Sequence, residues 1–247
     1  MSLCGPAQGS AAPGRDGLRS RRLIALLAGV AVTVTTGPGL LALQPAVLHR
    51  FGDLAWVVTG AHLAQHYWRP RRTGRLVWRP RIVGRHATEA GLLARRSPAG
   101  WLGLATTVAL GTVLAVAAVS FLADHWRPVA AWQPLLLAAV SLGPGWAVYR
   151  EVRFTGRLAL TASGIRDGGT CYPWSRVRAA GPNTDDRDGG VMLRVDPAEF
   201  PRPVVGGRDV TVSDERLLTA IEQFRVAPET LAVGLPVTAP EPGARGG

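Results

Sequence analysis

The chain has 247 residues, a mean hydropathy of +0.14 and a formal net charge of +11, so its apolar and charged residues must be segregated along the sequence. All of its permanent cations are arginine, which excludes a Schiff-base lysine and a P-loop lysine. Cys4 and Cys171 are too few for a disulfide framework, and we expect both to be reduced in the cytoplasm.

The first apolar region follows a basic tail, residues 1–22, which we expect to be disordered. Residues 23–48 are uncharged, although Gly-Pro-Gly at 37–39 predicts a kink within them. Residues 51–68 carry a single acid near one end. Arginine clusters on both sides of this region belong in the cytoplasm under the positive-inside rule, which predicts a helical hairpin turning near residues 44–50. An interfacial or re-entrant position is the alternative for the second stretch.

An arginine-rich loop, residues 69–100, connects this region to the next. Nine arginines lie there beside one acid, and Trp-Arg-Pro occurs at 68–70 and again at 78–80. Because membrane helices flank the loop, its basic and aromatic residues predict contact with anionic lipid head groups rather than with nucleic acid. The alternative is that these charges serve only to orient the helices. The candidate membrane-surface contacts are Trp68, Arg69, Arg71, Arg72, Arg75, Arg79, Arg81 and Arg85.

Two further apolar stretches follow the loop. Residues 101–123 contain no charge, and a helix of that length would extend ~34 Å, enough to cross a hydrocarbon core of about 30 Å. Residues 130–149 form a second uncharged stretch. Arginines on both sides predict another hairpin, which turns at residues 124–129. Residues 23–149 are therefore predicted to be membrane α-helical, with about four transmembrane helices and both termini in the cytoplasm.

Signals of chemistry are weak. His62 and His66 share a helix face at a spacing that can hold a metal, but no third ligand joins them at helical spacing. Residues 37–42 fit the loose dinucleotide pattern G-x-G-x-x-A, yet they lie within an apolar stretch and not after a strand. The sequence contains no G-x-S-x-G, H-E-x-x-H or Cys-x-x-Cys motif. We therefore expect a non-catalytic protein with no cofactor and no metal.

From residue 151 onward, short apolar runs alternate with Gly, Asp and Pro, which predicts a small β-rich α+β domain over residues 150–235. The predicted strands cover residues 157–162, 165–167 paired with 170–173, 177–180, 191–195 and 210–212. Ser213 is expected to cap the helix that follows. The candidate core consists of Leu158, Leu160, Ile165, Trp174, Val177, Leu193, Leu217, Ile221 and Phe224. Residues 236–247 are expected to be a disordered tail.

Two runs within this region, R-L-A-L-T-A-S-G-I at 157–165 and Y-P-W-S-R-V at 172–177, precede the predicted helix. In this order they resemble the bacterial PH-like domains that are fused to transmembrane segments in actinobacterial membrane proteins. The resemblance implies a PH-like fold for about a third of the chain and no catalytic residue. Because the region is shorter than a full domain of about 100 residues, one or two strands are expected to be missing.

Two functions from different classes are consistent with these patterns. The first is a scaffold or regulator in the cell membrane whose cytoplasmic PH-like domain recruits a protein partner or contacts the membrane surface, so that the lipid bilayer and a protein are its expected partners. The alternative is a small transporter or channel subunit that uses the Gly-Pro-Gly triplets at 37–39 and 143–145 as helix kinks. A polar cavity between the helices would favour transport, and tight helix packing would favour recruitment.

Overall fold

The computed structural model describes residues 18–42, 51–68, 71–84, 87–184 and 188–232. The described residues are α+β and divide into two compact units, each built from separate stretches of the chain. The helical unit comprises residues 23–68 and 101–153, and the domain unit comprises residues 1–22, 69–100 and 154–247 as far as they are described.

Among the described residues, five α-helices form or enter the helical unit: α1 (Leu18–Leu41), α2 (Phe51–Ala64), α3 (Pro98–His125), α4 (Arg127–Val140) and α5 (Leu142–Val152). Within the described ranges, α1 with 24 residues and α3 with 28 are the two helices that are long and apolar enough to cross a membrane. At ~1.5 Å per residue they extend ~36 and ~42 Å, more than the ~30 Å of a hydrocarbon core. Two helices could therefore span a membrane.

The bounds of α1 differ from the prediction. The helix begins at Leu18 rather than at residue 23, so the last residues of the predicted disordered tail are helical. It ends at Leu41, so the Gly-Pro-Gly triplet that was predicted to kink this region lies within the helix. The predicted turn at 44–50 and the predicted tail at 236–247 lie outside the described residues.

Two other predicted crossings are shorter than expected. α2 has 14 residues, a length of ~21 Å, and a 3-10 turn, Gln65–Tyr67, ends it. The stretch at 130–149 is divided into α4 and α5 by a turn at Ser141. Pro144 has no N–H to donate to the carbonyl of Val140, which accounts for the break. Between α3 and α4 the chain turns at one extended residue, Trp126, within the predicted range.

The described part of the domain unit contains two antiparallel sheets and, after them, one α-helix. The five-stranded sheet has the order β1 (Val77–Val83), β2 (Thr88–Ala94), β3 (Leu158–Thr161), β4 (Gly164–Asp167) and β5 (Thr170–Pro173). The three-stranded sheet has the order β6 (Val177–Pro182), β7 (Val191–Val195) and β8 (Val204–Val205), and α6 (Asp214–Val226) follows it. The predicted β-rich region is thus confirmed.

The first two strands lie in the segment that was predicted to be an arginine-rich loop. β2 pairs with β3, and Leu92 stands opposite Leu160 in the register. The domain therefore begins before α3 and resumes after α5, so that α3, α4 and α5 form a helical insertion between two adjacent strands of one sheet. The prediction of a loop was wrong because two arginines and a proline interrupt the apolar residues of β1, and the partner of β2 lies far along the chain.

One cluster of buried side chains from both sheets and α6 forms the core of the domain unit, and it contains all nine predicted core residues. Leu92 and Ala94 of β2 belong to the same cluster. Trp174 is 8% exposed, and its indole N–H donates to the carbonyl of Thr161 at 2.7 Å. The large side chain of Trp174 therefore fills the core while its polar atom is satisfied.

Two local details differ from the prediction: one expected strand is not part of a sheet, and one strand was not expected. Residues 210–212 form no sheet strand; instead Val210 and Val212 make isolated bridges with Arg96 and Gly74. The last strand is β8, which was missed because it has only two residues and follows a proline-rich segment. Ser213 occupies the N-cap position of α6 as predicted, but its side chain makes no capping hydrogen bond.

Candidate functional site: a basic sheet edge and the root of the helical insertion

β1 is an edge strand of the five-stranded sheet and carries arginine on its exposed positions. Arg71 and Arg75 lie on the chain just before the strand, and Arg79 and Arg81 lie within it; all four residues are exposed. We call these four arginines the basic edge. Together with Pro80 they keep the strand from pairing with another sheet. They also form a row of like charge of the kind that binds an anionic surface.

The other predicted membrane contacts are placed differently. Trp68 lies in the helical unit after α2 and is 45% exposed. Arg72 donates to both carboxylate oxygens of Asp214, at 2.5 and 2.8 Å, so it holds the chain before β1 against the first turn of α6. Arg69 and Arg85 lie outside the described residues.

The chain leaves the domain for the helical insertion at Ser97, which is 1% exposed. Its backbone N–H donates to the carbonyl of Asp209 at 2.9 Å, and its hydroxyl donates to the carbonyl of Arg208. The same hydroxyl accepts a hydrogen bond from the N–H of Gly100 at 2.9 Å. Serine before Pro98 is a favourable start for a helix, so Ser97 both caps α3 and ties it to the domain.

The chain returns from the insertion at residues 154–156, which lie against the end of β1. Thr155 donates its N–H to the carbonyl of Val83 at 3.3 Å, and its hydroxyl accepts from the N–H of Val83 at 3.1 Å. This paired contact fixes the returning segment to the end of β1. Both ends of the insertion are therefore attached by hydrogen bonds to the same folded domain.

Arg166 on β4 holds the returning segment by hydrogen bonds and is only 4% exposed. Its guanidinium donates to the carbonyls of Thr155 at 2.5 Å, Gly156 at 3.4 Å and Gly168 at 3.2 Å. It also lies 5.3 Å from the ring centre of Phe154, within cation–π range. A buried charge is tolerated here because backbone oxygens and an aromatic face replace water.

Arginine side chains dominate the electrostatics around the returning segment, residues 154–156. Burial lowers the pKa of Arg166 to about 10, and the nearby charges of Arg21 and Arg157 act in the same direction, whereas Asp167 opposes them. Arg21 donates to the carbonyl of Phe154 at 3.1 Å. Arg166 is thus still charged at neutral pH, and three arginines, Arg21, Arg157 and Arg166, make the surroundings of the returning segment positively charged.

Two carboxylates balance part of this charge. Arg157 Nε lies 3.1 Å from Asp167 Oδ1 and 3.5 Å from Asp209 Oδ2. Burial raises the pKa of the Asp167 carboxyl, although Arg157 counteracts the effect. The arrangement links β3, β4 and the turn before Val210, which is a structural role.

In the helical unit, three polar side chains from α2, the 3-10 turn after it and α3 contact one another. Thr106 donates to Gln65 Oε1 at 3.0 Å, and His62 Nδ1 lies 3.2 Å from the Thr106 hydroxyl and 2.8 Å from Gln65 Nε2. Gln65 is 5% exposed. The side chain of His66 lies outside the described residues. His62 therefore takes part in helix–helix hydrogen bonding, a use of polar residues that is common in membrane bundles.

The two Gly-Pro-Gly triplets lie where α1 meets α4 and α5. A Cβ added to Gly29 would lie 2.8 Å from the carbonyl oxygen of Gly145, and one added to Gly37 would lie 3.4 Å from Ser141 Oγ. Small residues at four-residue spacing on both helices allow this close, antiparallel crossing. An open groove of about 640 Å³ lies beside it, and no charged side chain is among its described lining residues: Leu26, Gly29, Val30, Thr33, Leu142, Gly145, Trp146 and Tyr149.

Cys171 is disulfide-bonded, so the expectation of a reduced thiol was wrong for this residue. Cys4 lies outside the described residues. Disulfides persist mainly in oxidising compartments, whereas the arginine distribution predicts a cytoplasmic domain. The two criteria conflict, and a measurement of topology decides between them.

Three residues that hold the ends of the helical insertion were not predicted as functional residues: Ser97, Thr155 and Arg166. Ser97 precedes a proline and could have been read as a helix cap. Arg166 alternates with buried Ile165 and so would be assigned to the solvent face. Among the described residues, no group of three or more His, Cys, Asp or Glu side chains could hold a metal ion.

No protein-family model, curated protein or solved structure matches the chain.

Proposed function

We propose that the chain is a non-catalytic integral membrane protein whose PH-like domain contacts the membrane surface or recruits a protein partner there. One observation carries the proposal: an apolar helical insertion begins and ends in a single folded domain that exposes a row of arginines. The contacts of Ser97 and Thr155 with the rest of the domain are the basis of that observation.

A PH-like fold is supported by the order of elements in the domain unit. Antiparallel sheets of five and three strands are followed by a C-terminal helix, and the two resembling runs lie on β3–β4 and on β5–β6. Residues 150–235 alone lack strands for such a fold. β1 and β2 supply them from before the helical insertion.

The insertion also bears on topology. Because β2 is hydrogen-bonded to β3, the chain before α3 and the chain after α5 lie on the same side of any membrane. The insertion therefore crosses an even number of times. α3 is long enough for one crossing, and α4 and α5 together span residues 127–152 for the return. Four crossings and cytoplasmic termini remain part of the proposal.

The basic edge favours the membrane surface as the first contact of the domain. Residues 71–97 contribute eight arginines against Glu89, so the added segment makes the domain basic. A tethered basic surface gains from anionic lipid without needing a complementary protein face. The apolar groove and the close helix crossing give no specific support to transport, which is the alternative function.

The test uses the full chain in lipid nanodiscs of phosphatidylcholine with or without phosphatidylglycerol. We expect anionic lipid to slow hydrogen exchange in β1, and ~1 M salt, which shortens the Debye length to ~3 Å, to reverse the effect. The double variant Arg79→Gln/Arg81→Gln should lose the response.

Arg216→Gln/Arg225→Gln, which removes two arginines from α6, is the matched control and should keep it. Lipid-independent exchange in β1 of the unmodified chain would refute contact of the basic edge with lipid. A photo-crosslinker at position 81 that captures a polypeptide and not lipid would support the recruitment form instead.

A further inference from the structure

A loop on the three-stranded sheet presents an unusual aromatic side chain. Residues 196–203, which we call the Phe200 loop, connect β7 to β8. Phe200 is 100% exposed at this loop. A phenylalanine fully surrounded by water forgoes the free energy of burial, so its exposure calls for an explanation other than stability.

The loop is held in place at both ends. Arg176 Nε donates to the carbonyl of Asp196 at 2.9 Å, and its Nη2 donates to Glu199 Oε1 at 2.9 Å. The N–H of Leu193 donates to the carbonyl of Pro203 at 2.8 Å. Prolines at 197, 201 and 203 restrict the backbone further. A fixed loop lowers the entropy lost when Phe200 binds, which is the advantage of preorganisation.

The surroundings of Phe200 are basic and partly apolar. Arg194 lies on the exposed face of β7, and Arg202 follows Phe200 by two residues. Arg202 extends along that face, with Nη1 3.8 Å from the sulfur of Met192. Val204, 41% exposed, stands opposite Met192 in the register.

The acidic residues of the loop are engaged by other arginines. Glu199 is paired with Arg176, and Asp196 is paired with Arg178. The charge that remains beside Phe200 therefore comes from Arg194 and Arg202. An anionic surface complements it.

We propose that the Phe200 loop is a membrane anchor, in which Phe200 enters the interface of an anionic bilayer while Arg194 and Arg202 contact lipid head groups. This inference rests on the proposed function, because tethering by the helices of the same chain makes a weak, single-residue anchor effective. Aromatic side chains are enriched at the membrane interface, and arginines beside them bind anionic lipid. A stable protein interface needs about 1,000 Å² or more, which a single projecting loop does not offer.

The experiment places a fluorescent reporter on the loop. The full chain carrying Phe200→Cys is labelled with an environment-sensitive dye and reconstituted in nanodiscs of phosphatidylcholine with or without phosphatidylglycerol. Glu222→Cys, at an exposed position on α6, is the matched control, and unsubstituted protein gives the labelling background. Lipids with a quencher on the acyl chain report contact with the bilayer.

In anionic discs we expect the dye at position 200 to shift to shorter wavelength and to be quenched about twofold more than the dye at position 222. Arg194→Gln/Arg202→Gln should remove most of that difference. Equal quenching at the two positions, in discs that contain the protein, would overturn the anchor and leave the proposed function standing.

Crosslinking of position 200 to another polypeptide without lipid quenching would likewise overturn the anchor, because a protein would then cover Phe200. A chain that stays in solution without detergent and fails to enter discs would overturn the proposed function and the anchor together.

Discussion

The guanidinium of Arg166 is buried yet charged, because carbonyls of the segment that returns from the helices accept its hydrogen bonds. Arg166→Met should lower the free energy of unfolding by about 3 kcal/mol, since those carbonyls lose a charged donor. Arg166→Lys should recover only part of the loss, because an ammonium group lacks the fork geometry. Chemical denaturation in detergent, followed by near-UV circular dichroism, measures both.

Arg194→Met is the control for this comparison, since Arg194 is exposed on β7. A change within about 0.5 kcal/mol is expected there. If the variants at 166 and 194 were equally stable, the returning segment would not depend on the buried charge.

Asp167 makes stability depend on pH in an unusual direction. Burial raises the pKa of its carboxyl above the ordinary 3.8. In the window above 3.8 the folded protein binds more protons at this site than the unfolded chain does, so its contribution to stability falls as pH rises through the folded-state pKa. Asp167→Asn should therefore gain stability relative to the unsubstituted chain as pH rises from about 4 to 7.

Denaturant midpoints of the two proteins across this pH range measure the effect, with Glu222→Gln as the control for removing an exposed carboxylate. A difference between Asp167→Asn and the unsubstituted chain that does not change with pH would contradict the argument.

At the scale of elements, two of the three Trp-Arg-Pro copies, those at 68–70 and 78–80, lie in unlike environments. Trp78 of β1 packs against the core of the domain unit, and its indole N–H donates to the carbonyl of Leu231 at 3.3 Å. Trp68 is 45% exposed after α2. Trp78→Ala should therefore cost about 3 kcal/mol of domain stability, whereas Trp68→Ala should cost less than about 0.5 kcal/mol.

Thermal unfolding in one detergent provides the comparison of the two alanine variants. Equal melting temperatures would contradict the prediction, because β1 would then contribute nothing to the stability of the domain. The result would also bear on the basic edge, since that surface exists only if β1 is folded.

The crossing of α1 with α5 gives a second test on elements. A side chain at Gly145 would place its Cβ 2.6 Å from the carbonyl oxygen of Gly29, so Gly145→Leu should push the helices apart and destabilise the helical unit by about 1–3 kcal/mol. Gly143 lies two residues away in the same triplet, and its Cβ would meet nothing within 4 Å.

Gly143→Leu is therefore the control, and it should leave the unfolding midpoint in detergent nearly unchanged. If both variants lost the same stability, the effect would come from the flexibility of the triplet and not from the contact.

For the whole molecule, the pairing of β2 with β3 predicts the outcome of topology mapping. Reporters placed after Arg85 and after Gly247 should lie on the same side of the membrane, because the sheet joins the two parts of the domain. A reporter after Trp126, at the turn of the helical insertion, should lie on the opposite side. Opposite locations for the first two would be incompatible with the sheet.

The same reporters identify the compartment. A cytoplasmic domain would agree with the arginines and would expose the Cys171 disulfide to reduction, whereas a domain on the outer side would agree with the disulfide and refute the positive-inside assignment. Either result is compatible with the proposed even number of crossings.

The sequence by itself determined the features that depend on neighbouring residues. The uncharged runs that became α1 and α3, the short apolar runs that became β3 to β7 and the helical spacing in α6 are local, because each is a property of residues that are neighbours in the chain. The nine core residues, among them Leu158 and Phe224, follow from the same local periods.

Only the tertiary structure decided which distant segments share a domain. β1 and β2 could not be joined to β3 from the sequence, because the helical insertion separates the strands and a strand reveals its partner only through hydrogen bonds made after folding. The burial of Arg166 could not be predicted for the same reason: its alternation with Ile165 indicates the solvent face, whereas its burial depends on a returning segment that covers that face. Contacts between residues far apart in the chain leave no periodic signal, so they are determined only when the chain folds.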